Sequence, residues 1–213
     1  MKIALFGATG HLGRGILDEA LSRGWQVIAV VRDPSRLDRR HDHLAVVSGD
    51  VAHADSWLDA VRGVDAVVAS LSARRDGDFA SVPGHAARLL DTLPVAGVKR
   101  LLWVGGAGTL EVAPGVRVID DPQFPAAWKP EAEAQGAALE VFRTSHADVD
   151  WIYVSPAALV EEGERSGRYR LGGDQLLVDA DGVSRITVAD YAAALLDRIE
   201  QHDALRRRIT VAY

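Results

Sequence analysis

The stretch KIALFGATGHLGRGILDEAL, Lys2 to Leu21, decides the fold. A short apolar run, Lys2 to Phe6, leads straight into Gly-x-x-Gly-x-x-Gly at Gly7, Gly10 and Gly13, and a helical pattern follows from Gly13 to Arg23. The first glycine permits a tight turn, the second lets backbone approach a pyrophosphate, and the third lets the helix pack close to the strand. The unpaired N–H groups and the positive dipole end of the helix point at the same place. Three glycines at this spacing would cost stability if they served a turn alone. Gly7, Thr9, Gly10, His11, Leu12 and Gly13 are therefore the candidate pyrophosphate contacts, His11 through its backbone. A Walker-type loop is excluded, because no Gly-Lys-Ser/Thr follows.

Outward from this unit, apolar runs alternate with helical patterns. Gln26 to Val31, Leu44 to Ser48, Ala66 to Ser70, Arg100 to Gly105 and Trp151 to Val154 read as further strands, and Ser56 to Arg62, His85 to Leu93 and Glu131 to Ser145 as helices. The runs VIAVV and AVVAS lack polar alternation, which suits strands covered on both faces. This rhythm predicts an α/β fold, a doubly wound parallel sheet of the Rossmann type. After Pro156 the rhythm changes. Glu161 to Ser184 holds five glycines, Gly163, Gly167, Gly172, Gly173 and Gly182, which predicts loops and a hairpin. Ile186 to Glu200 then reads as an amphipathic helix, with Thr187 and Asp190 spaced as a variant capping box, and RRRITVAY as a last strand. The expected organisation is a single domain, 1–213, with a core over 1–156 and a small C-terminal lobe on the substrate side over 157–213.

Composition narrows the function. The 213 residues carry 24 basic against 30 acidic groups, a net charge of -6, which argues against a nucleic-acid binder with a basic face. The absence of Cys excludes a disulfide framework, and no apolar run reaches the length of a membrane span. The N-terminal apolar run is broken by glycines and lacks a cleavage site, so a cytoplasmic location is expected. His41, His43 and His53 show no metal-type spacing and His146 precedes a strand at the opposite end of the sheet, so no metal is expected.

At the end of the second strand stands VVRDPSRL. Arg32 suits a 2′-phosphate through charge-assisted, bidentate hydrogen bonds, which favours NADP, with Arg36 and Arg14 as supporting cations. A register one residue on would instead set the Asp33 carboxylate against a 2′-hydroxyl and favour NAD. Asp50 and Val51, after the third strand, are expected beside the adenine, Asp50 either accepting from its amine or starting a turn.

The glycine loop, Arg32, the Gly49-Asp50-Val51 sequence and LLWVGGAGTL, Leu101 to Leu110, together resemble the atypical short-chain dehydrogenase/reductases. Within them the chain is similar to the NAD(P)H-binding, NmrA-like group that includes NADH-flavin reductases and biliverdin reductase B type enzymes. DWIYVSPAAL from Asp150, GERSGRYRLG from Gly163 and GVSRITVADYA from Gly182 extend the likeness over nearly the whole chain. The resemblance implies a cleft at the carboxyl ends of the strands, with Ser70, Leu71, Gly105 and Gly106 beside the nicotinamide and Ser155 and Pro156 closing the far side. The run from Gly105 to Gly108 also reads as a plain flexible turn.

The wider superfamily uses Tyr-x-x-x-Lys as its acid pair. This chain has only Lys2, Lys99 and Lys129, and none has Tyr four residues before it. A positioned acid is worth roughly two to four orders of magnitude when an alkoxide must be protonated. Hydride transfer to a flavin-like or quinone-like ring needs it less, which points to catalysis by proximity and orientation. Flavin would then be a substrate, and the partner a small aromatic molecule, with no nucleic acid and no membrane. Trp128 and Lys129, within the Pro-rich DDPQFPAAWKP, are the candidates for a catalytic role and for a lid over the cleft, with Arg168, Tyr169 and Arg170 as further substrate-side candidates. Two other readings stand beside the reductase: a non-catalytic NADP-binding sensor that reports to a protein partner, and an epimerase or dehydratase, which the missing Tyr and Lys disfavour.

Overall fold

The strand Lys2–Phe6 is central because nothing in it needs water: Ile3, Ala4 and Leu5 are wholly buried and Phe6 nearly so. In the computed structural model, which describes residues 1–213, the elements follow in order. They are β1 (Lys2–Phe6), α1 (His11–Ser22), β2 (Gln26–Val31), β3 (Leu44–Ser48), β4 (Ala66–Ala69), α2 (Ser81–Thr92), β5 (Arg100–Val104), β6 (Glu111–Ala113), β7 (Val116–Arg117), α3 (Lys129–Thr144), β8 (Asp150–Pro156), β9 (Leu159–Glu161), β10 (Arg170–Gly172), β11 (Arg185–Thr187), α4 (Val188–Gln201) and β12 (Arg207–Ala212).

Eight strands form one sheet in the order β10-β12-β8-β5-β4-β1-β2-β3, and all pair in parallel except β10, which is antiparallel to β12. The fold is a doubly wound α/β sheet of the Rossmann type. Strand alternation divides the core: Ile3 and Leu5 pack on the α1–α4 face, Ala4 and Phe6 on the α2–α3 face. The chain winds from β1 outward to β3, then returns and winds the other way from β4. The reversal between β1 and β4 opens a crevice at their carboxyl ends, and in such sheets this is where ligands bind. No helix is long and apolar enough to cross a membrane.

Three local expectations are corrected. Ser56 to Arg62 is not a helix but two short 3-10 turns, Ala54–Ser56 and Asp59–Val61. Trp57 between them is drawn into the core edge-on to Phe6, ring centroids 5.1 Å apart, and this tertiary contact outweighs helical propensity. Helix α2 begins at Ser81 rather than His85, since Pro83 falls in its first turn, where a missing N–H costs no helical bond. No hairpin forms over Glu161 to Ser184. Strand β9 pairs in parallel with β11, and β10 finds its backbone partners on β12, where Arg170 stands opposite Ala212. The residues after Pro156 thus supply two strands of the main sheet and the helix α4 that packs beside α1.

The start of α4 is a fastening point for that segment. Thr187 Oγ1 accepts the Asp190 N–H at 3.1 Å, as a cap should. The return bond of a capping box is absent, because the Thr187 N–H goes to the Tyr213 hydroxyl. The wholly buried Asp190 carboxylate is free to accept from Ser166 N–H and Oγ–H, Gly167 N–H and the Tyr213 hydroxyl, at 3.1, 2.6, 2.8 and 2.6 Å. Burial pushes its pKa up, but the donors from Ser166, Tyr213 and Gly167 outweigh this and hold it below the ordinary 3.8. Asp190→Asn should lower unfolding free energy by about 2 kcal/mol at neutral pH, read from urea denaturation. A depressed carboxyl stabilises above its unfolded-state value, so the gap between wild type and variant should hold down to pH 3.8 and close as pH falls through the native value.

Candidate functional site

Two backbone contacts build the site. Gly7 has φ +81°, and a Cβ there would lie 1.9 Å from the Ser70 carbonyl oxygen; a Cβ on Gly13 would lie 2.0 Å from the Gly7 carbonyl oxygen. Strand β4, the glycine turn and the first turn of α1 are therefore pressed backbone to backbone. Gly10 is the N-cap of α1, no side chain caps the helix, and its first turn has no acidic residue. The first-turn N–H groups are left for an outside acceptor, and the site suits a diphosphate in both shape and sign.

A cleft of about 1390 Å³ runs along the carboxyl ends of the strands. It exceeds the roughly 300–1,000 Å³ of a single small-molecule pocket. Around the glycine turn it is lined by Gly7, Thr9, Gly10, His11 and Leu12; at the β2–β3 end by Arg32, Arg36, Asp50 and Val51; across β4, β5 and β8 by Ser70, Leu71, Gly105, Gly106 and Pro156; and by Trp128. The structure thus brings together most of the residues singled out from sequence. Gly13 lies behind the lining as a packing contact.

Other candidates fall elsewhere. Ser155 is fully buried and outside the lining, because strand alternation turns it away from the mouth that Pro156 lines. Lys129 lines a separate depression behind α3 with Glu133, Asp120 and Arg143. Arg14 lies outside the cleft. Of the C-terminal candidates, Tyr169 hydrogen-bonds Asp197, Arg170 reaches the Val178 and Tyr213 carbonyls, and Arg168 is exposed; none lines the cleft.

At the β2 end the electrostatics are specific. Asp33 caps the short turn Pro34–Arg36, accepting from Ser35 N–H at 3.1 Å and Ser35 Oγ–H at 2.6 Å. Asp50 Oδ1 accepts the Ala52 N–H at 2.9 Å and so starts a turn. His85, from α2, also lines the cleft, and burial pushes its pKa below 6.5.

Sequence reasoning missed a buried polar group at the cleft floor. Glu131 is 7% exposed and Gln135 5%. Glu131 accepts the Ala73 N–H at 3.3 Å and one amide hydrogen of Gln135 at 3.2 Å; Gln135 also donates to the Leu71 carbonyl at 2.9 Å and accepts from the Trp103 indole at 2.9 Å. The Tyr153 hydroxyl donates to the Gln135 carbonyl and accepts from Gly106 N–H, and burial pushes its pKa up. The network ties the loop after β4 to α3. Gly105 belongs to this packing, since a Cβ there would meet the Tyr153 ring at 2.0 Å, and Gly108 faces Ala132 at 2.6 Å. The signal was present: positions 131, 135, 138 and 142 make one helical stripe whose last two members are the buried Ala138 and Phe142.

With this geometry the comparisons agree. The chain matches the family described as NAD(P)H-binding over residues 7–198. It is a member of that NAD(P)H-binding family. Three solved structures are similar to it over nearly their full length. A Burkholderia pseudomallei protein, provisionally named an exported protein, is 42% identical with TM-score 0.89, over 100% of both chains. A Bacteroides thetaiotaomicron protein, provisionally named an epimerase, is 39% identical with TM-score 0.90, over 100% of this chain and 96% of its own. A Streptococcus pneumoniae protein, provisionally named an NADH-flavin reductase, is 31% identical with TM-score 0.83, over 100% and 99%.

Gly13→Ala should destabilise the protein by about 1–3 kcal/mol, because its methyl meets a carbonyl that cannot swing aside, and should weaken nucleotide binding. Gly84→Ala is the comparison. It is exposed in the first turn of α2 with nothing within 4 Å of a Cβ, so the same chemical change should be neutral or stabilise by about 0.5–1 kcal/mol in the same thermal and urea measurements.

Proposed function

We propose that the protein is an NADPH-dependent reductase that delivers hydride to a flat flavin-like or quinone-like acceptor. One observation carries the reading: none of the 46 residues lining the cleft is Tyr or Lys, whereas Trp128, Phe124, Leu71, Leu159 and Val160 all line it. The cleft is built to enclose a flat apolar partner without a hydroxyl acid beside it. The name of the Streptococcus relative supports the same chemistry.

Bound nicotinamide would supply the hydride from C4; the chain does the rest by placement. The glycine turn and α1 hold the diphosphate, Ser70, Leu71, Gly105 and Gly106 leave room for a ring, and Trp128, 49% exposed, stacks on the acceptor and keeps water from its face. The proton that completes the reduction reaches the acceptor heteroatom from solvent, because the ring system spreads the incoming charge. Rate enhancement then comes from orientation of two rings, a contribution that can reach several kcal/mol. Arg32 and Arg36 are the 2′-phosphate ligands. Support comes from Asp33, one of whose two carboxylate oxygens is already engaged by the Ser35 N–H and hydroxyl in a local turn. An epimerase of the Tyr-and-Lys type is disfavoured, because the lining holds neither residue.

Purified protein should oxidise NADPH in the presence of FMN or a simple quinone well above the uncatalysed rate. Tight NADPH binding without turnover across flavins and quinones would overturn the reductase reading and leave a nucleotide sensor. Arg32→Ala should weaken NADPH binding about 10-fold or more, as a lost charge-assisted contact does, and NADH binding by less than about 3-fold. Equal losses for the two nucleotides would remove Arg32 as the phosphate ligand.

A further inference from the structure

We infer that Asp76 occupies the 2′-phosphate position when no nucleotide is held, and thereby sets how strongly the cleft prefers NADPH over NADH. The inference rests on the proposed phosphate-binding role of Arg32 and adds a residue from a different part of the chain. Arg32 leaves the end of β2, and its Nη1 donates to Asp76 Oδ2 at 2.6 Å. The pair joins residues 44 apart and links the two walls of this end of the cleft, β2 and the loop between β4 and α2.

The loop is made so that its tip can let go while its root stays. At the root, the Ala73 N–H is bonded to buried Glu131. A turn is closed there by the N–H groups of Asp76 and Gly77, both donating to the Ala73 carbonyl at 3.1 and 2.8 Å, with Gly77 at φ +72°. At the tip, the ion pair is open to water, the Arg32 side chain 59% and the Asp76 side chain 36% exposed. Exposed pairs of this kind exchange partners at little cost.

Charge makes the exchange specific. Arg32, Arg36, Arg74 and Arg75 all line this end, and both Arg36 and Arg75 lie within electrostatic reach of the Asp76 carboxylate. Asp33 and Asp50 each hold local donors on Oδ1, and the carboxylate bonded to the Arg32 guanidinium is that of Asp76. Asp76 engages Arg32 through Nη1 alone, and a phosphate seated on that nitrogen cannot share it with the carboxylate without like charges in contact. A 2′-phosphate that takes Nη1 therefore displaces Asp76, whereas a ribose 2′-hydroxyl leaves the pair intact. Asp76 weakens NADPH binding selectively, and because one ion pair replaces another, it also flattens the salt dependence of that binding.

The test is nucleotide titration of Asp76→Asn, followed by calorimetry or by the fluorescence of the reduced nicotinamide, with adenosine 2′,5′-bisphosphate and AMP as probes of the corner alone. Asp76→Asn should tighten NADPH and the bisphosphate about 3- to 5-fold, change NADH and AMP less than 2-fold, and steepen the salt dependence of NADPH binding. Asp78→Asn, the same charge change two residues along the loop, should leave the ratio of NADPH to NADH affinity unchanged. Unchanged NADPH affinity in Asp76→Asn, or equal tightening of both nucleotides, overturns the inference. If Arg32→Ala is selective for NADPH while Asp76→Asn has no effect, the competitor role alone falls. If Arg32→Ala affects both nucleotides equally, the phosphate reading falls and takes the competitor role with it.

Discussion

The contact on which the rest of the molecule depends is between backbones. Gly7 meets the Ser70 carbonyl, and Gly13 meets Gly7, at distances that no side chain allows. These contacts set β1 against β4 at the point where the winding of the sheet reverses. They also place the first turn of α1, uncapped by any side chain, at the mouth of the crevice. Dispersion and hydrophobic burial on the two faces of β1 hold the layers, but the glycines decide how closely the layers approach. Where the cleft is walled by this main chain it presents N–H groups and little side-chain bulk, which is what a diphosphate and a flat ring require.

Around that main chain the chemistry is divided. The β2 end is dense in arginine, and its carboxylates are tied to local turns or, for Asp76, to Arg32 across the cleft. The other end is lined by glycine, apolar groups and Trp128, with the buried Glu131–Gln135 network fastening the loop after β4 to α3. Much of the polar bonding here holds loops in place, and in the proposed function the site works by fixing two ligands side by side. Under the proposed function, this is how the cleft does without a tyrosine and lysine: an acceptor that delocalises charge asks for orientation more than for a proton donor.

The parts legible in the sequence were those encoded locally. GATGHLG reads directly because the constraint on each glycine lies within seven residues, and the Thr187 cap reads because its partner Asp190 is three residues away. Buried runs such as VIAVV named their strands without help. What stayed hidden was settled by distant partners. Trp57 broke an expected helix by packing on Phe6, and Arg170 to Gly172 became a sheet edge through β12. Glu131 and Gln135 share a helical stripe with Ala138 and Phe142, but their polarity masks their burial until Ala73, Leu71 and Trp103 are seen to bond them. Asp76 carries no motif at all; its meaning comes only from Arg32 across the cleft.

The most direct test of the account is the primary deuterium isotope effect with NADPH labelled stereospecifically at C4, measured on single-turnover reduction of FMN or a quinone. If two rings are held face to face in this cleft, one of the two labelled faces should slow the transfer clearly and the other should not. Equal effects from both faces, or NADPH oxidation no faster than without protein, would contradict a cleft that orients hydride transfer.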